Sequence, residues 1–245
     1  MKRAEAFGLA ALKRSAKKMT HQFKALIFDL DGTLVDSEAI VELVMRRWCL
    51  EKGIAYEALV DSSRSSRTED TVRSVAPHLN CKHEADQIEA NEREELKNLQ
   101  EIKGASNFLN QVPRTQWAVS TSSDSTTAIA KLKATGMPLP EVLIGGDQVK
   151  HGKPHPESYL SAARELGVSP HDCLAFEDSN TGISSALAAG CCVIAVGTNN
   201  YDTTSKAEIL GSITNFEELN LVIENCSLLT LDLTSLQNKS QQTNH

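Results

Sequence analysis

Several large protein classes are excluded by what this sequence has little of. The six cysteines (Cys49, Cys81, Cys173, Cys191, Cys192 and Cys226) form no C-x-x-C pair and fall short of disulfide-scaffold density in 245 residues. Cys191 and Cys192 are adjacent within an apolar run, the setting of buried reduced thiols. That usage suits a reducing compartment, so the expected location is the cytoplasm. No apolar stretch approaches the roughly 20 residues that span a bilayer, and no continuous apolar segment marks a secretory signal. No internal repeat is present. Positive charge is short: 25 Lys and Arg against 32 Asp and Glu give a net charge of −7, which argues against general nucleic-acid binding.

The charge that is present is uneven. Residues 1–19 carry a net +5, leaving −12 for the rest. Residues 1–22 read as a basic, poorly ordered leader, with an amphipathic, transit-like helix as the other reading. The ordered pattern begins at Lys24. From there, short apolar runs alternate with helical stretches. Ala25–Phe28, Trp117–Thr121, Glu141–Ile144, Cys173–Phe176 and Cys192–Val196 are unbroken apolar or nearly so, as strands buried on both faces are. Residues 124–136, 155–167 and 180–190 read as helices, each closing on glycine or just before it. Strand–helix alternation predicts an α/β fold: a Rossmann-like, doubly wound parallel sheet with helices on both faces. Residues 36–103 contain no convincing strand, and 37–52, 67–76 and 84–102 read as helices. So long an excursion exceeds a simple crossover. It predicts a helical cap at 36–103 inserted into a core of 23–35 and 104–225. Residues 221–233 have room for one or two short strands, and 226–245 are expected to be a tail, disordered beyond 235.

Sites in open parallel sheets form at the carboxyl ends of strands. The first strand ends in Asp29 and Asp31, the second in Thr121-Ser122-Ser123, and the fourth in Glu177-Asp178. Lys150 and Lys153 follow the third. Carboxylate clusters suit Mg²⁺, which prefers oxygen ligands. A metal lets an anionic nucleophile approach an anionic phosphate. A carboxylate can form an aspartyl-phosphate, and a second, protonated carboxyl can serve the leaving oxygen. Lysine and hydroxyl donors would hold the phosphate. Lys150 and Ser123 read as a surface charge and a structural hydroxyl. His151, His155 and His171 show no ligand spacing.

Four segments in order resemble the motifs of haloacid dehalogenase superfamily hydrolases with a small helical cap: Asp29-Leu30-Asp31-Gly32-Thr33-Leu34-Val35-Asp36-Ser37, Thr121-Ser122, Gly152-Lys153-Pro154-His155-Pro156, and Phe176-Glu177-Asp178-Ser179. The match covers about residues 24–220, and within the superfamily it is nearest to sugar phosphatases and β-phosphoglucomutase-like phosphatases. The resemblance implies that Asp29 is the nucleophile. It makes Asp31 the acid for ester cleavage, then the base for water. Thr121, with the backbone N–H of Ser122, would hold the phosphoryl group, and Lys153 would bridge it to Asp29. Mg²⁺ would be bound by Asp29, Asp178 and the main-chain carbonyl of Asp31, with Glu177 as a further ligand or an orienter. Arg64 and Arg67 lie in a cap loop that reaches the substrate in relatives; where those commonly have glycine, this chain has serine. A carboxyl at Asp31 suits a phosphate ester, whose alkoxide must be protonated. The implied activity is a Mg²⁺-dependent, monomeric phosphatase for a small phosphorylated sugar or polyol, with neither nucleic acid nor membrane as partner. A sugar phosphomutase remains the alternative, and a non-enzymatic binding protein on this scaffold is the third reading.

Overall fold

The computed structural model of the chain describes residues 20–60, 66–197, 208–225 and 228–233. Its strands are β1 (Thr20–Phe23), β2 (Ala25–Phe28), β3 (Val35–Asp36), β4 (Gln100–Glu101), β5 (Trp117–Ser120), β6 (Val142–Ile144), β7 (Cys173–Glu177), β8 (Cys192–Val196), β9 (Ile209–Ile213), β10 (Asn220–Asn225) and β11 (Leu228–Asp232). The α-helices are α1 (Glu38–Lys52), α2 (Glu57–Val60), α3 (Thr68–Val75), α4 (Cys81–Glu94), α5 (Ala105–Leu109), α6 (Ser125–Ala134), α7 (Glu157–Glu165) and α8 (Asn180–Ala189).

Six strands form one parallel sheet in the order β6-β5-β2-β7-β8-β9. All four residues of β2 are buried, as its unbroken apolar run predicts. Alternate residues feed two cores. Leu26 and Phe28 join Trp117, Phe108, Phe176 and Phe216 on one face, with the Phe28 and Phe176 rings stacked at 4.8 Å. Ala25 and Ile27 meet Tyr159, Ala162, Ile183 and Ala186 of α7 and α8 on the other. Strand order reverses around β2, which opens the crevice where such sheets bind ligands.

The helices α1 to α4 leave and return through β3 and β4, a two-stranded antiparallel link pairing Val35 with Glu101 and Asp36 with Gln100. They enclose a separate cluster of Val44, Met45, Trp48, Val72, Ala76 and Ile88. The helix expected over 84–102 is shorter, ending at Glu94. Leu96 and Leu99 then turn inward to the main core, which steers the chain back beside Val35.

Two boundaries differ from the sequence reading. Residues 20–22 belong to the expected leader and Leu228–Asp232 to the expected tail, yet β1 and β11 pair with each other; β10 completes this second sheet, and with β11 supplies the short strands expected over 221–233. Leu229, Leu231 and Leu233 are buried there. The β1–β11 pairing joins residues about 200 positions apart, so no local pattern announces it. Residues 1–19 and 234–245 of the expected leader and tail lie outside the described residues. No described helix is long and apolar enough to cross a membrane. Among the described residues, Cys49, Cys81, Cys173, Cys191 and Cys192 are free thiols.

Candidate active site

The register of the central strands assembles the site. Phe28 aligns with Val119 on β5 and Phe176 on β7, so Asp29, Thr121 and Glu177 emerge together at the carboxyl edge. Asp29 is almost fully buried, and its Oδ1 accepts a hydrogen bond from Lys153 Nζ at 2.6 Å. The same ammonium donates to Glu177 Oε1 at 2.5 Å and to the Ser120 carbonyl at 3.1 Å. Tyr159 adds a hydroxyl, donating to Glu177 Oε1 at 2.7 Å. Glu177 is therefore built into the support of Lys153. Thr121 is buried too, and its Oγ1 accepts from the Ser123 backbone N–H at 3.1 Å.

Gly32 follows with φ +79°, a conformation that side chains resist. A Cβ there would lie 2.2 Å from Asp178 Oδ2, so the bare backbone lets Asp178 approach. Ligand oxygens of Asp29, Glu177 and Asp178 all lie within 4.8 Å of one another. Burial raises the Asp29 carboxyl well above its ordinary range, and Glu177 raises it further while Lys153 opposes. Burial and Glu177 likewise push Asp178 up to about 7. Three carboxyl groups gather beside one ammonium, which bonds Asp29 and Glu177. That surplus of negative charge, borne by oxygen donors, fits a divalent hard cation.

Asp31 faces differently. Its Oδ1 accepts from Ser37 Oγ at 2.5 Å and from Lys131 Nζ at 2.6 Å, and its Oδ2 accepts from Ser123 Oγ at 2.9 Å. Burial raises its pKa, but Lys131 and the two hydroxyls more than offset that, and the net shift is downward. Asp31 thus stands in its proton-accepting form, where the sequence reading expects a protonated carboxyl. Its side chain stands apart from the Asp29, Glu177 and Asp178 cluster.

A cavity of about 660 Å³ covers these groups. Asp29, Asp31, Thr121, Ser122 and Asp178 line it from the core, and Glu42, Arg46, Tyr56, Thr68 and Glu92 from the helices of residues 38–94. The Arg46 guanidinium lies 3.9 Å over the Tyr56 ring, with Nε donating to Glu42 at 2.7 Å. The size suits a small metabolite.

Arg67 is not among the lining residues. It forks onto Asp70 at 2.6 and 2.9 Å and donates to the Val149 carbonyl at 3.0 Å. It ties α3 to the core loop that carries Lys153. Arg64 lies outside the described residues. Sequence reasoning missed Tyr159, Lys131 and Glu92. A signal existed for Lys131: it shares the buried stripe of α6 with Thr127, Ala128 and Leu132.

Residues 26–196 match the family model described as haloacid dehalogenase-like hydrolase. The chain belongs to this family. Among the relatives of this hydrolase is hexitol phosphatase A of Escherichia coli, 36% identical over 71% of this chain and 82% of that one. Glycerol-1-phosphate phosphohydrolase 2 of Saccharomyces cerevisiae is 30% identical over 75% of this chain and 78% of that one. Among solved structures, β-phosphoglucomutase from Clostridium difficile superposes with a TM-score of 0.69, covering 90% of this hydrolase and 98% of that chain. At 18% identity, that likeness shows a shared fold.

Proposed function

We propose that this protein is a Mg²⁺-dependent phosphatase that hydrolyses a small phosphorylated polyol or sugar through an aspartyl-phosphate on Asp29. Relatives named as hexitol, glycerol-1-phosphate and fructose-1-phosphate phosphatases support the substrate class. The observation that carries the chemistry is the Asp29 carboxyl lining the cavity, with Lys153 Nζ behind it 2.6 Å from Oδ1. The ammonium fixes one carboxylate oxygen and leaves the other to attack.

Asp29 attacks phosphorus as the ester P–O bond breaks. Asp31, ionised at rest beside Lys131, takes up a proton as the anionic phosphate enters the site and gives it to the leaving alkoxide. As a carboxylate, it then takes a proton from the water that attacks the aspartyl-phosphate, freeing inorganic phosphate and restoring Asp29. Thr121, the backbone N–H of Ser122 and Lys153 hold the phosphoryl oxygens. Glu177 and Tyr159 position Lys153. Asp29, Asp178 and the main-chain carbonyl of Asp31 are the groups for Mg²⁺, with Glu177 behind them. When bound, Mg²⁺ offsets the repulsion between anionic nucleophile and anionic phosphate. The helices over the cavity keep bulk water from the reacting atoms.

The test is phosphate release from a panel of polyol, sugar and nucleotide monophosphates, with Mg²⁺ or EDTA, alongside Asp29→Asn. Release from polyol or sugar phosphates, abolished by EDTA and by the substitution, is the expected result. No release from any ester overturns it, and isomerised sugar phosphate in the same tubes would assign a phosphomutase instead.

A further inference from the structure

Lys131 has no part in the reaction as described, yet it is nearly inaccessible, with its side chain 1% exposed. It extends from α6 of the core into a junction of three elements. Its Nζ lies 2.6 Å from Asp31 Oδ1, 2.6 Å from Glu92 Oε1 and 3.0 Å from Ser123 Oγ. Asp31 belongs to the catalytic loop and Glu92 to α4, on the other side of the cavity. Ser123 closes a ring, donating to Asp31 Oδ2. A buried ammonium is tolerated only with its partners in place, and removing one leaves an uncompensated charge.

This junction lies within a wider seam. Arg93 of α4 reaches Thr127 Oγ1 at 2.5 Å and Asp124 Oδ2 at 3.2 Å. Thr68 of α3 donates to Glu89 at 2.7 Å, and Glu89 accepts from the Asp124 backbone N–H at 3.4 Å. Of these links, the one through Lys131 touches a reacting group. Seating α4 places Glu92, Glu92 fixes the Lys131 ammonium, and the ammonium fixes Asp31.

We propose that Lys131 is a positioning residue that aligns Asp31 for proton transfer and makes that alignment depend on Glu92 and the seating of α4. The proposal rests on the phosphatase reading above. A closed cavity then commits the proton shuttle, and an open one leaves it misaligned. The requirement falls on both proton transfers, to the leaving alkoxide and from the attacking water.

The test compares wild type, Lys131→Met, Lys131→Arg, Glu92→Gln and the double variant K131M/E92Q. Substrates are glycerol 1-phosphate and 4-nitrophenyl phosphate, with thermal unfolding measured in parallel. Lys131→Met confronts Asp31 with Glu92 and lowers the unfolding temperature. The double variant relieves that repulsion and recovers it. Expected on glycerol 1-phosphate is a fall in kcat of about 100-fold for Lys131→Met, kept in the double variant, with KM within about threefold, and partial rescue by Lys131→Arg. Because 4-nitrophenolate leaves without a proton, Lys131→Met gives one equivalent of it in a burst, then slows at aspartyl-phosphate hydrolysis. A double variant that regains both stability and wild-type kcat overturns the proposal, as does the absence of a burst. A wild type inactive on every ester overturns the phosphatase reading and this proposal with it. An active wild type matched by Lys131→Met overturns this proposal alone.

Discussion

Gly182, in the first turn of α8, leaves the space that the Glu177 carboxylate fills. A Cβ there would lie 2.0 Å from the carboxyl carbon, closer than atoms can pack. Glu177 is fully buried between Lys153 and Tyr159, so it has nowhere to retreat. Gly182→Ala is expected to cost about 1–3 kcal/mol of stability. It should also lower kcat at least tenfold by displacing Lys153, and thermal unfolding with steady-state kinetics checks both. At this scale, Asp29, Thr121, Lys153 and Asp178 were legible because each ends a strand or follows one in a short motif. Tyr159, Lys131 and Glu92 were not, because they reach the site from helix faces that meet only after packing.

Helix α4 turns an acidic stripe inward: Glu84, Glu89 and Glu92 are all buried. Glu84 is satisfied by Trp48 Nε1 at 2.8 Å and Lys52 at 2.9 Å. Glu89 is less well served. Burial, then Glu92 beside it, raise its pKa to about 7, assisted by Asp124 and opposed by Thr68 and Lys131. Its Oε2 is buried with no hydrogen-bond partner. Between the unfolded value of 4.5 and about 7, the folded chain holds a proton that the unfolded chain releases. Its contribution is therefore fully present below pH 4.5 and is lost as pH rises toward 7, by up to about 1.4 kcal/mol per pH unit. Asp29 and Asp178 add losses of the same sign, so denaturation from pH 5 to 7 should fall more steeply in wild type than in Glu89→Gln by that slope; equal slopes would assign the proton elsewhere. Elements such as β2, β5, β7 and β8 were legible from their unbroken apolar runs. The strands β1 and β9 mix polar residues or glycine into short stretches, and their partners, not their composition, make them strands.

Across the whole molecule, the first and last described strands hold each other. β11 is the middle strand between β1 and β10, and Leu229, Leu231 and Leu233 project into the main core. Ending the chain before residue 228 would expose that face and unpair both neighbours. Three buried leucines at about 1.5–3 kcal/mol each approach the total stability of an ordinary domain. The shortened chain should be largely insoluble or unfold well below the full one, as soluble yield and thermal unfolding would show. The α/β layering was legible because βα alternation spans most of the chain. Of the second sheet, the short strands at 221–233 were legible, but their closure onto β1 was not, because that pairing spans about 200 residues.

The link between Val35–Asp36 and Gln100–Glu101 has a practical consequence. Departure and return sit side by side on one rung, so everything between is a cassette with adjacent ends. A foreign lid with the same two-strand stem can be spliced there without rethreading the catalytic floor, provided it brings a carboxylate to Lys131 where Glu92 now stands. Substrate preference should travel with the graft, while Asp29, Lys153 and Asp178 stay behind as a common engine.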